Sequence, residues 1–177
     1  GSVGQPAESV LVNIGTGGQV SAWVPEPARL NDFDTRCFPG GGYLLVGATL
    51  FGGASYAAWR DFIRRIGVAF FGATGQEELY DRMTELAASV VSGAEGVRCC
   101  PLFAGTRADP AAHGSFYGLT TSSLTPAHLT RALLEGMADG YHALYARMRP
   151  IIGERALLIG SGNALARNPL LVRLMSE

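Results

Sequence analysis

The order of apolar runs in this sequence predicts a layered α/β domain. Three short apolar runs near the beginning are typical of strands, and later segments repeat apolar residues every three or four positions, as amphipathic helices do. The sequence then closes with an apolar run, a glycine turn and a helical segment. Because 177 residues form one domain of ordinary size, we expect these elements to share one hydrophobic core.

The first strands form a predicted β-hairpin. Ser9 to Ile14 is apolar, Gly15 to Gly18 interrupts the run, and Gln19 to Val24 resumes it. Two prolines and several polar residues predict a loop from Pro25 to Asp34. Tyr43 to Leu50 is rich in Leu and Val, which predicts a third, buried strand.

Two helices are predicted after these strands. The first follows Gly52-Gly53, where the apolar stripe of an amphipathic helix is formed by Tyr56, Trp59, Phe62, Ile63, Ile66 and Phe70. Glu77 to Val91 predicts the second helix, because acidic residues occupy its first turn and Ser92-Gly93 follows its end.

The second half of the chain predicts further strands and one long helix. Val97 to Phe103 and Ser115 to Leu119 are candidate strands around a loop. Thr125-Pro126 is a typical helix start, and its core-facing stripe is Leu129, Leu133, Met137, Tyr141, Leu144 and Met148. A buried strand from Arg155 to Ile159, a glycine turn and a helix from about Asn168 to Met175 complete the prediction.

The composition disfavours several partners and mechanisms. A formal net charge of -1 without long charged runs leaves no footprint for nucleic acid or an anionic membrane. The sequence contains no Lys, which excludes a Walker-type or Schiff-base lysine within it. Its three cysteines lack a CxxC spacing, so neither a disulfide framework nor a zinc site is indicated. Since no apolar run reaches membrane-spanning length and residues 1–10 do not resemble a signal peptide, we expect a cytoplasmic protein.

The first glycine turn, Gly15-Thr16-Gly17-Gly18, is a candidate anion site. Backbone N–H groups approach a phosphate closely where no side chain intervenes, and Thr16 adds a hydroxyl donor. A structural alternative is that the glycines only supply positive φ angles at a hairpin turn. The pattern alone leaves both interpretations open.

The second glycine turn, Gly160-Ser161-Gly162-Asn163, lies between a predicted strand and a predicted helix, a position that favours a nucleotide. A dinucleotide fingerprint is disfavoured, because Leu165 occupies the third glycine position of GxGxxG. A hydrolase is also disfavoured, since Ser161 lacks the GxSxG spacing and the three histidines form no recognisable triad.

Taken in order, these segments resemble the FGGY carbohydrate kinases over nearly the whole chain. Asn13 to Gln19 resembles the second phosphate motif of that family, and Gly160 to Asn168, reading GSGNALARN, resembles its adenosine motif. The segments that look similar between them are Gly52-Gly53 before the Trp59 helix, Pro101 to Pro110 reading PLFAGTRADP, and Gly118 to Met137.

The resemblance implies a ribonuclease-H-like lobe of the actin and hexokinase type, with a mixed sheet, flanking helices and an early stop at the C-terminus. Residues 1–177 would be the C-terminal nucleotide-binding domain, with ATP and Mg²⁺ held between it and a second lobe. The likeness implies phosphate contacts by Gly15, Thr16 and Gly17, a pocket border at Gly53, adenine or ribose contacts by Gly160, Ser161, Gly162 and Asn163, and a position near the base for Arg167.

Further expectations concern the reaction. Ser122 to Leu124, His128 to Leu133 and the GSGNALARN stretch are most similar to sedoheptulokinases, which implies phosphate transfer from ATP to sedoheptulose, giving sedoheptulose 7-phosphate. The family's catalytic Asp lies in a GDxQ-like motif expected before Gly1, so its N-terminal lobe is the implied partner and no catalytic residue is expected in this chain. Weak ATP binding without sugar phosphorylation follows. The alternative is a non-catalytic nucleotide-binding or scaffold module of actin-like fold.

Overall fold

The computed structural model describes residues 4–72 and 79–177. Its strands are β1 (Ser9–Ile14), β2 (Gly18–Val24), β3 (Phe33–Cys37), β4 (Tyr43–Thr49), β5 (Arg98–Cys100), β6 (Ser115–Tyr117) and β7 (Leu157–Ser161). Its α-helices are α1 (Gly53–Phe71), α2 (Leu79–Ala88), α3 (Pro126–Ile152), α4 (Asn163–Arg167) and α5 (Pro169–Ser176). The predicted start of the second helix, at Glu77, lies outside the described residues.

A mixed five-stranded sheet in the order β3-β4-β2-β1-β7 forms the centre of the fold. The predicted hairpin is confirmed, because β1 pairs antiparallel with β2 and brings Ile14 opposite Gly18. The last strand joins the other side of β1 in parallel, with Asn13 opposite Ser161. Parallel strands end at the same edge of a sheet, so the segments that follow β1 and β7 meet there.

Strand β3 lies at one edge of the sheet and was not predicted. The expected loop from Pro25 to Asp34 ends instead at Phe33, where the chain enters the strand. Asp34, Thr35 and Arg36 are all exposed, so the segment has no apolar period. Antiparallel backbone pairing with β4 holds this strand, and such pairing does not require buried side chains.

Strand β7 occupies the other edge, which corrects a second prediction. The expected buried strand from Arg155 to Ile159 is displaced by two residues, and Leu157 and Leu158 are each 42% exposed. An apolar composition predicted burial, but the outermost strand has only one neighbour in the sheet. The candidate strands from Val97 and from Ser115 are also shorter than predicted, and they pair with each other in a separate two-stranded sheet.

Helix α3 is the main packing element. Thr125 caps it by accepting a hydrogen bond from the His128 N–H at 3.3 Å. The predicted core-facing stripe is confirmed by four residues that are at most 1% exposed, namely Leu133, Met137, Tyr141 and Met148. Helix α5 confirms the predicted last helix, whereas the five-residue α4 that precedes it was not predicted. None of the helices in the described part of the chain combines the length and apolar character needed to cross a bilayer.

Helix α1 confirms the predicted helix but buries only part of its apolar stripe. Tyr56 and Trp59 are buried, and the indole N–H of Trp59 donates to the Thr130 hydroxyl of α3 at 2.8 Å. Further along the same stripe, Phe62 is 49% exposed and Phe70 is 77% exposed. The buried residues of α1 therefore lie in its first half, which begins at Gly53.

Candidate functional site

The two glycine turns predicted from the sequence lie side by side. The first follows β1 and the second follows β7, and these strands are parallel neighbours. The amide of Asn13 donates to the Ser161 hydroxyl at 2.9 Å, which ties the two strand ends together. Gly162 adopts a φ of +95°, and a Cβ at this position would also press on the Ile14 backbone, so the second turn requires glycine there.

A third glycine segment, Gly52-Gly53, holds the first turn from the start of α1. The Gly53 N–H donates to the Gly15 carbonyl and the Ala54 N–H donates to the Thr16 carbonyl, both at 2.8 Å. A Cβ at position 53 would lie only 2.5 Å from the Gly15 oxygen. The first turn is therefore held in shape by direct backbone contact with α1.

The glycines of the first turn allow close packing at two positions and leave open space at a third, and none of them is needed for an unusual φ angle. None of Gly15, Gly17 and Gly18 has a φ in the left-handed range, so the structural alternative based on positive φ is wrong for these residues. A Cβ at Gly17 would lie 2.8 Å from the Thr49 carbonyl oxygen, and one at Gly18 would overlap the Tyr141 ring. At Gly15 a Cβ would enter open space, with its nearest neighbour 4.0 Å away.

The donors of the first turn are available to a ligand. Among the described residues, the backbone N–H groups of Gly15, Thr16 and Gly17 find no acceptor, and neither does the exposed Thr16 hydroxyl. Side-chain-free backbone with unsatisfied N–H groups can approach an anion closely. This arrangement can bind a phosphate by charge-assisted hydrogen bonds.

The second turn presents a more mixed surface. Ser161 is half-buried and accepts a hydrogen bond from Asn13. Asn163 and Arg167 are exposed at the two ends of α4. Leu165 is buried and lies against Gly160, with 3.1 Å between its methyl carbon and a Cβ built there. The second turn also approaches the start of α1, because a Cβ built at Gly53 would lie 3.9 Å from the Cβ of Ala164.

The three glycine segments, residues 15–18, 52–53 and 160–163, together form a junction. Sequence reasoning missed several residues that shape this junction. Asn13 links the two strand ends, and Thr49 donates to the Phe51 carbonyl at 2.7 Å just before Gly52. Tyr141 was predicted only as a core residue, yet its hydroxyl also donates to the Phe51 carbonyl, at 3.1 Å. The one sequence signal that could have identified such residues is a polar residue near the end of an apolar strand. Asn13 and Thr49 show this signal, and Tyr141 does not.

Buried phenols lie close to the junction. Burial raises the pKa of Tyr141 to about 12, although the neighbouring Thr49 hydroxyl opposes the rise. Burial likewise raises the pKa of Tyr56, on α1, to about 12. Both hydroxyls therefore stay neutral hydrogen-bonding groups to a more alkaline pH than an ordinary tyrosine does.

A shallow concavity elsewhere in the molecule contains none of the predicted site residues. Its volume is about 420 Å³, and its lining residues all lie between Pro27 and Thr35, in and before edge strand β3. In the described ranges, no group of three or more His, Cys, Asp or Glu side chains is placed to hold a metal ion.

A family of sequences matches nearly the entire chain. Residues 10–177 match the model of the FGGY family of carbohydrate kinases, C-terminal domain. Among curated proteins, the chain is 30% identical over 177 residues to the sedoheptulokinase of Mus musculus, covering 96% of this chain and 36% of that protein. It is 25% identical over 173 residues to the gluconokinase of Bacillus subtilis, covering 95% and 33%. The chain thus spans about a third of the length of these relatives.

Solved structures show the same likeness in three dimensions. The xylulose kinase of Rhodospirillum rubrum superposes with a TM-score of 0.83 at 25% identity, covering 96% of this chain and 33% of that one. For the gluconate kinase of Lactobacillus acidophilus the TM-score is 0.78 at 20% identity, with 96% and 33% covered, which speaks to the fold alone. The predicted α/β lobe of the actin and hexokinase type, with a mixed sheet and flanking helices, is confirmed.

Proposed function

Because this chain belongs to the FGGY family of carbohydrate kinases and matches its C-terminal domain, we propose that it is the ATP-binding half of a sugar kinase. In this proposal ATP is bound at the junction of the three glycine segments and its γ-phosphate passes to a sugar hydroxyl. In this proposal the sugar and the catalytic base belong to a second, N-terminal lobe, as the resemblance to the family implies. The chain spans about a third of the length of these relatives.

One observation carries the proposal: among the described residues, the N–H groups of Gly15, Thr16 and Gly17 have no acceptor, and two of these three residues carry no side chain. Gly15 faces open space, while Gly53 and Ala54 hold the turn from behind. Phosphoryl transfer depends mainly on positioning and on stabilising charge, and N–H donors on a turn that α1 holds in place supply both. The turn therefore suits the β- and γ-phosphates of ATP.

The remaining contacts follow from the position of the second turn. Gly160, Ser161, Gly162 and Asn163 lie beside the phosphate turn, where the adenine or ribose of the same nucleotide would reach them. Arg167 is exposed at the end of α4, and we propose that its guanidinium stacks on the base. Mg²⁺, when bound with ATP, neutralises phosphate charge, and the Thr16 hydroxyl is the side-chain group of this turn that could support the complex.

Sedoheptulose is the sugar that we propose, with sedoheptulose 7-phosphate as product. Support comes from the similarity of the GSGNALARN stretch to sedoheptulokinases and from the 30% identity to the mouse protein of that name. The relatives also include proteins named for gluconate and glycerol. A panel of these sugars, offered to the longer kinase that contains this chain, tests the choice, and preference for another sugar would reject it.

Calorimetry with Mg-ATP on the 177-residue chain tests nucleotide binding. We expect measurable binding, a roughly three- to tenfold loss of affinity in Thr16→Ala from one lost hydrogen bond, and no sugar phosphorylation by this chain alone. Thr121→Ala is the matched control, because Thr121 is exposed outside the junction. Absence of binding, or equal binding by the Thr16→Ala variant, would contradict the proposal.

A further inference from the structure

Tyr141 links the middle of α3 to the backbone that supports the first glycine turn. The residue is 1% exposed, and its hydroxyl donates to the Phe51 carbonyl at 3.1 Å. Its ring packs edge-on against the Phe51 ring, with 5.3 Å between centroids. Phe51 immediately precedes the glycine pair whose N–H groups hold the turn.

Tyr141 also meets the turn from its other end. A Cβ at Gly18 would overlap the Tyr141 hydroxyl and ring, so the backbone that leaves the turn passes directly over this side chain. One end of the turn thus lies directly against Tyr141, and the other end is linked to it through Phe51 and the Gly53 N–H group. An aromatic side chain in a fully packed position has little freedom to move, and it transmits that rigidity to the backbone around it.

A second hydroxyl acts on the same carbonyl. Thr49 donates to the Phe51 oxygen at 2.7 Å, and its own carbonyl oxygen would lie 2.8 Å from a Cβ at Gly17. The Phe51 carbonyl therefore accepts from two side chains, one on β4 and one on α3. Losing either donor leaves the carbonyl with one partner fewer and loosens the segment that follows it.

We propose that Tyr141 is a positioning residue for the nucleotide phosphates. By holding Phe51 and supporting Gly18, it keeps the N–H groups of Gly53 and Ala54 on the carbonyls of Gly15 and Thr16. The turn then keeps the shape in which its own N–H groups converge on a phosphate. This inference rests on the proposed function, and it adds a residue from α3 that does not touch the ligand.

Tyr141→Phe tests the inference, because it removes the hydroxyl and keeps the ring. We expect ATP and ADP affinity to fall roughly fivefold, the size of one typical hydrogen bond, while adenosine affinity stays within about twofold. Amide exchange at Gly53 and Ala54 should accelerate. Tyr56→Phe is the matched control: Tyr56 is also buried, but its hydroxyl pairs with Thr84 at 3.1 Å, and we expect unchanged exchange at these amides.

The outcomes separate this inference from the proposed function. Binding of ATP by the unchanged chain together with unaltered ATP affinity in Tyr141→Phe overturns the inference alone. An equal loss for ATP and adenosine also overturns it, since that pattern indicates general loosening. If the unchanged chain binds no nucleotide, the proposed function fails and the inference with it, even if the exchange pattern is as expected. Should Tyr141→Phe unfold, Thr49→Val removes the other donor to Phe51 and decides by the same measurements.

Discussion

The two halves of α1 carry the same apolar stripe and have opposite environments. In the first half, Trp59 is buried, bonded to Thr130 and packed on Phe116 with 5.3 Å between ring centroids. In the second half, Phe70 is 77% exposed. A helical period therefore reports where apolar side chains point, whereas burial depends on whether another element covers that side.

The difference matters because the buried half of α1 contacts the junction and the exposed half does not. Gly53 begins α1 and holds the first glycine turn, and Trp59 fixes the same half of the helix against α3. The exposed half contributes no residue to the junction. We therefore expect substitutions at Gly53 and Trp59 to affect both stability and nucleotide binding, and substitution at the exposed Phe70 to affect neither.

The largest effect is expected at Trp59. Trp59→Ala leaves a cavity and removes the indole N–H that donates to the Thr130 hydroxyl, which keeps its own bond to the Pro126 carbonyl. The free energy of unfolding should therefore fall by about 3–5 kcal/mol, mainly from the cavity. Phe70→Ala should change it by less than about 0.5 kcal/mol, because exposed side chains contribute little. Denaturant unfolding of the two variants measures the contrast. Equal losses would show that both halves of α1 are covered in solution.

Gly53→Ala should have an intermediate effect. A Cβ 2.5 Å from the Gly15 oxygen forces the turn and the helix apart, so we expect a loss of about 1–3 kcal/mol in unfolding free energy and at least tenfold weaker ATP binding. Gly15→Ala is the control, because its Cβ enters open space. That variant should keep its stability and lose affinity only. Unchanged ATP binding in Gly53→Ala would contradict the claim that contact with α1 shapes the nucleotide site.

Much of this architecture was predictable, because local patterns specify it. The β1-β2 hairpin, the capped α3 and the terminal α5 follow from apolar period and capping residues. The fold of the lobe followed from the order of motifs along the chain, and the structure confirms it.

The errors arise where tertiary context decides. Edge strand β3 forms through backbone pairing despite exposed side chains, and Leu157 is apolar yet exposed because β7 has one neighbour. The contact between Tyr141 and Gly18 was also beyond sequence reasoning, since the two residues are far apart in the chain and only close packing joins them. Contacts of this kind have no local period to reveal them.

The smallest expected effect concerns alkaline stability of the buried half. The pKa of Tyr56 is raised by burial to about 12, whereas a tyrosine in the unfolded chain ionises near pH 10. Between these values the unfolded chain has lost the proton that the folded chain keeps, so stability falls as the pH rises from about 10 to about 12.

Urea unfolding across this pH range measures the effect. Tyr56→Phe should reduce the fall in unfolding free energy by about 1–2 kcal/mol. Phe70→Ala, from the exposed half of α1, should leave the pH dependence as it is. An identical pH dependence in Tyr56→Phe would show that this phenol is not the group that resists ionisation.

The central claim is that the glycine segments together form the nucleotide site, and amide NMR during titration with Mg-ATP tests it most directly. We predict that the largest shifts occur at Gly15 to Gly17, at Gly53 and at Gly160 to Asn163, with little change between Pro27 and Thr35. Shifts confined to the concavity before β3, or no saturable shift in any of the three glycine segments, would contradict the account.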